Sequence, residues 1–81
     1  MEKGDLIKFS YKADTDKKGT NVGIITKINE YHRADSYTGW KQVNKINFLN
    51  RHDYMEVFLV SERKKAIISM RIVRDIEVIT Q

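Results

Sequence analysis

Eighty-one residues, 41% apolar and 32% charged, suit one small globular domain spanning residues 1–81 and exclude a disordered chain. Cysteine is absent, which excludes disulfides and thiolate metal cages, and no apolar run approaches the roughly 20 residues that span a bilayer, so a protein of the cytoplasm is expected. The net charge of +4 favours an anionic partner, nucleic acid or an acidic protein patch, with most of the excess in residues 41–81, where eight Lys/Arg face five Asp/Glu.

Gly4-Asp5 signals a turn. In residues 6–12, Ile7, Phe9 and Tyr11 alternate with Lys8, Ser10 and Lys12, the period-2 pattern of a half-buried strand. Residues 13–21 have nothing apolar to bury and form an exposed loop. The β-branched run at 22–31 predicts a second strand with Val22, Ile24 and Ile28 on one side; Gly23 within it marks a bulge or the close approach of another backbone. A second polar loop covers 32–39. From Trp40 to Asn50 the pattern is strand-like again, with Ile46 and Phe48 facing one way.

Residues 55–70 hold two apolar runs around the charged turn Ser61-Glu62-Arg63-Lys64 and form the hairpin on which the rest is built, with Val57, Leu59 and Ile67 at its apolar centre. The turn at 50–53 predicts that 45–49 and 55–60 also pair as a hairpin. For residues 62–74 two conformations compete: Ser61-Glu62 can cap a helix through Ala66, Met70 and Val73, whereas the pairs Ile67-Ile68 and Ile72-Val73 fit a pleated strand better. A turn at 71–75 and a short strand at 76–80 close the chain.

This pattern predicts a mainly β protein, a single small barrel of five or six antiparallel strands. The opening Gly4-Asp5-Leu6-Ile7-Lys8-Phe9, the strand Val22-Gly23-Ile24-Ile25-Thr26-Lys27-Ile28 and the ending Ile76-Glu77-Val78-Ile79 resemble SH3-like small barrels, and they also resemble small proteins encoded by tailed bacteriophages. The resemblance spans most of the chain and implies an SH3-like fold and a host-cell setting. It carries no assigned active residues, and the acidic, aromatic and proline set with which eukaryotic SH3 domains grip proline-rich peptides is missing.

Chemistry is sparse. The two imidazoles, His32 and His52, lie in separate loops without a partnered nucleophile, so neither catalysis nor a four-ligand zinc site is expected. Asp14-x-Asp16-x-Lys18-Gly19 begins like a calcium loop, but Lys18 stands at a ligand position and Ile25 where a bidentate Glu is needed. No metal or cofactor is implied.

Binding residues are easier to nominate. Tyr31, Arg33, Tyr37, Trp40 and Lys41, and again Arg51 and Tyr54, mix rings with cations, which suits bases stacking on aromatic faces while Arg and Lys track phosphates. The same types dominate protein interfaces, and Trp40 and Tyr31 could equally cover an open barrel end. Arg63-Lys64-Lys65, with Arg71 and Arg74 nearby in sequence, is the strongest positive cluster; it fits phosphate contact, and it also fits a solvated turn that keeps a β edge from pairing. The expectation is a non-enzymatic module that binds nucleic acid or the machinery handling it. The alternative is an accessory factor that blocks or redirects a host enzyme or defence protein, or a subunit that assembles with itself.

Overall fold

The computed structural model describes residues 1–13, 20–31, 40–47 and 50–79. These form six strands and no helix: β1 Leu6–Tyr11, β2 Thr20–Tyr31, β3 Trp40–Val43, β4 Tyr54–Leu59, β5 Lys64–Ser69 and β6 Val73–Val78. All pairings are antiparallel. The strands make one open sheet in the order β5-β4-β2-β1-β6, while β3 pairs with β2 beside that path.

β2 is the long central strand. One of its edges carries β4 along residues 23–29; the other carries β1 at its beginning, through Leu6 opposite Ile24, and β3 at its end, through Tyr31 opposite Trp40. The switch from β1 to β3 falls beside a bulge between Ile25 and Lys27. This bulge also corrects the expected face of the strand. One extra residue reverses the alternation, so Ile25 and Ile28 are buried while Ile24 is 38% exposed. Two residues upstream of Ile25, a Cβ on Gly23 would stand 3.1 Å from the Phe58 carbonyl oxygen and 3.3 Å from Val57 Cβ. The glycine thus answers to the close approach of a neighbouring backbone.

Ile7 and Phe9 of β1, Ile25 and Ile28 of β2, Met55, Val57 and Leu59 of β4, Ile68 of β5, Val73 of β6 and Ile46 form one buried cluster. Because no helix or second sheet covers it among the described residues, a lone sheet can bury these side chains only by curling round them. The bulge in β2 assists this bend, and so does the register shift of β1 on β6 between Lys8 and Ser10. Asp75 lies in β6 opposite that shift and adopts a left-handed φ of 53°.

Four other expectations are corrected. Of the expected partner segment 45–49, residues 45–47 do not pair with β4, whose edges are taken by β2 and β5, and 48–49 lie outside the described residues. Lys45 instead bridges Glu2, Ile46 donates its N–H to the Met1 carbonyl at 2.9 Å, and Phe48 lies outside the described residues. Residues 64–69 are strand, so the helical alternative for 62–74 is overturned by pairing with β4 at six consecutive positions. In β5 the buried isoleucine is Ile68, and Ile67 is 55% exposed. Finally, the last turn comes earlier than 71–75: Ile72 donates to the Ser69 carbonyl at 3.1 Å, and β6 starts at Val73.

Candidate binding groove

The turn at 50–53 is built by two side chains. Asn50 Oδ1 accepts the N–H groups of His52 at 2.8 Å and Asp53 at 3.1 Å, the usual way in which Asn folds a turn onto itself. Asp53, 1% exposed, accepts the Tyr31 N–H on Oδ1 at 2.6 Å and the Asn50 N–H on Oδ2 at 3.1 Å. A buried carboxylate with both oxygens occupied by backbone donors is satisfied. It ties the end of β2 to the turn that carries Arg51 and His52. The rings of Tyr31 and His52 consequently meet, with centroids 5.1 Å apart.

Beside this clamp runs a groove of about 260 Å³, lined by Tyr31, Arg51, His52, Tyr54, Ile67, Ile68, Ser69, Arg71 and Ile72. Register explains the assembly, because Tyr54 at the start of β4 stands opposite Ser69 at the end of β5, next to the turn that holds Arg71 and Ile72. Ile67 and Ile72, 55% and 44% exposed, give the groove an apolar wall. Among the described residues, Arg51 and Arg71 are exposed and make no ion pair, and no carboxylate lines the groove.

Of the ten residues nominated from sequence, the structure brings Tyr31, Arg51 and Tyr54 together here. Trp40 and Lys41 lie on β3, opposite Tyr31 and Glu30, with Trp40 53% exposed and neither lining the groove. Arg63, Lys64 and Lys65 lie at the far end of the β4–β5 hairpin, five residue steps from the Tyr54–Ser69 pair, or roughly 17 Å. Arg33 and Tyr37 lie outside the described residues, as does the calcium-like segment at 14–19.

At the hairpin turn, Lys64 and Lys65 have carboxylate neighbours, whereas no ion pair of Arg63 is seen among the described residues. Lys64 lies 3.4 Å from Glu62, and Lys65 lies 3.7 Å from Glu56. Arg74 is paired with Asp75 at 3.8 Å and Lys8 with Glu77 at 2.9 Å. The other lining residues, His52, Ile67, Ile68, Ser69, Arg71 and Ile72, were not nominated as binding residues, although Arg71 was noted beside the positive cluster. The doublet Ile67-Ile68 did hold a signal, since neighbours on a strand point to opposite faces and one of the two must face outward.

Among the described residues no three His, Cys, Asp or Glu side chains gather to hold a metal ion, and no helix is long and apolar enough to cross a membrane. Compared with protein-family models, curated proteins and solved structures, the chain gave no match.

Proposed function

We propose that this chain is a non-enzymatic, phage-encoded binding module on an SH3-like barrel, acting in the host cytoplasm on nucleic acid through the groove beside Asp53. The observation that carries the binding role is the convergence of two guanidinium groups that make no ion pair among the described residues, Arg51 and Arg71, on Tyr31, Tyr54 and isoleucine, with no acidic residue among the described lining residues. Rings offer stacking surfaces to bases, and exposed cations can meet phosphates. The barrel reading is supported by the strand path, in which β1 lies between β2 and β6, and by the three-residue turn that leads into the last strand. Phage origin rests on the likeness of the opening, second-strand and closing motifs.

Fluorescence anisotropy with random RNA and DNA oligonucleotides at low salt tests the proposal. Arg51→Ala with Arg71→Ala should weaken binding and lower the salt slope by about one per cation removed. Lys64→Ala with Lys65→Ala should leave both nearly unchanged. Absence of binding at low salt refutes the reading.

The exposed Ile67 and Ile72 favour a second reading, a protein partner that seats an apolar side chain between them. Retention of one specific host protein after nuclease treatment of a bacterial lysate, lost in Ile67→Asp, would support it over the first.

A further inference from the structure

A second hollow adjoins the groove. It measures about 430 Å³ and is lined by Tyr11, Lys12, Ala13, Arg71 and Ile72. Arg71 and the exposed Ile72 belong to both hollows and stand where the two meet. The two are held in fixed relation, because Lys12 at the end of β1 donates its N–H to the Ile72 carbonyl at 2.8 Å. The Tyr11 ring is itself anchored edge-on against buried Phe9, with centroids 5.5 Å apart and planes at 90°.

Along this path cations and rings alternate. Arg51 borders only the first hollow, whose rings are Tyr31, His52 and Tyr54; Arg71 is shared; Tyr11 is the ring of the second hollow, and Lys12 borders only that one. Lys12, like the two arginines, is exposed and makes no ion pair among the described residues. Sites for drug-sized ligands run from about 300 to 1,000 Å³; the first hollow, about 260 Å³, falls below that range and the second, about 430 Å³, lies near its lower end, so each has room for a nucleobase.

We infer that the paired hollows form a site for two consecutive nucleotides of a single strand, one base in each hollow and the linking phosphodiester on Arg71. The inference rests on the nucleic-acid reading and names its ligand. Cation, ring, cation, ring, cation matches phosphate, base, phosphate, base, phosphate. Duplex is excluded as a good ligand because Tyr11, Tyr31 and Tyr54 are half-buried in concave surface. Paired and stacked bases cannot present their faces to such recessed rings. An extended single strand can.

The test is a competition series against a labelled single strand, using thymidine mono-, di-, tri- and tetranucleotides with terminal phosphates and a blunt duplex. Affinity should rise at least about tenfold from mono- to dinucleotide, then flatten, with the duplex at least about tenfold weaker than the single strand. Arg71→Ala should abolish the step from one nucleotide to two. Tyr11→Leu should reduce the same step. Amide NMR spectra of both variants verify that the fold is kept, and Arg71→Lys provides a conservative check if Arg71→Ala disturbs the turn. If oligonucleotides bind but the step is missing, persists in both Arg71 variants, or the duplex competes equally, the two-nucleotide site is refuted and the nucleic-acid reading stands. If no oligonucleotide binds, both fall.

Discussion

Glu56 stands on β4, where Thr26 Oγ1 donates to its Oε2 at 2.7 Å and Lys65 Nζ lies 3.7 Å away. The Thr26 hydrogen bond, and after it the charges of Lys65 and Lys27, hold this carboxyl below its ordinary value of 4.5 against a smaller opposing pull from desolvation. A carboxyl whose pKa is depressed by folding contributes stability above its unfolded pKa, and that contribution is lost as pH falls through the lowered folded value. Denaturant midpoints should therefore fall on acidification below pH 4.5 more steeply in the wild type than in Glu56→Gln. At Gly23 the obstacle to a side chain is the Phe58 carbonyl and Val57 Cβ, neither the far end of a flexible chain. Gly23→Ala should cost about 1–3 kcal/mol in chemical denaturation, the usual range for overpacking.

At the level of elements, the β4–β5 hairpin separates two neighbouring isoleucines by function. Ile68 is fully buried and Ile67 is more than half exposed. Ile68→Ala should cost about 2–5 kcal/mol. Ile67→Ala should stay within about 0.5 kcal/mol of wild type in stability, while weakening whatever ligand occupies the groove. Leu59→Ala belongs with Ile68, since Leu59 closes the alternation Met55, Val57, Leu59 on the buried face of β4. Strands β1 and β4 were legible because strict alternation matches the pleat. The face of β2 was not, because the bulge between Ile25 and Lys27 leaves no mark in the residue types there. The partner of β4 was misjudged for a related reason. Nearness in sequence favours pairing across the turn at 50–53, but β2 offers a longer run of apolar side chains and takes that edge.

For the whole molecule, β5 and β6 end the main strand path, and among the described residues β3 is likewise paired on one side only. Lys64 and Lys65 start the first, and Asp75, left-handed at φ 53°, distorts the second. Charge and bulge are two devices by which edge strands resist pairing with another chain. Three cations that make no ion pair among the described residues, Arg51, Arg71 and Lys12, line the two adjoining hollows. If each meets one phosphate of a single strand, the logarithm of the binding constant should fall with the logarithm of salt with a slope of about −2. A slope near zero in anisotropy titrations over a range of salt would show that phosphates are not what these cations meet.

The sequence by itself determined the β class, the buried faces of β1 and β4, the hairpin around Arg63, and a basic, ring-containing surface chemistry, because each is written in local periodicity, turn residues or composition. Tertiary structure decided which cations share a surface. Arg63-Lys64-Lys65 is the densest positive run in the sequence, yet Glu62 and Glu56 stand beside its two lysines. Lys12, Arg51 and Arg71 are scattered along the chain and are gathered only when Tyr54 meets Ser69 across the hairpin and Lys12 bonds to Ile72 across the last turn. Charge density along a chain is a local quantity, whereas the field a ligand meets depends on which carboxylates fold alongside each cation.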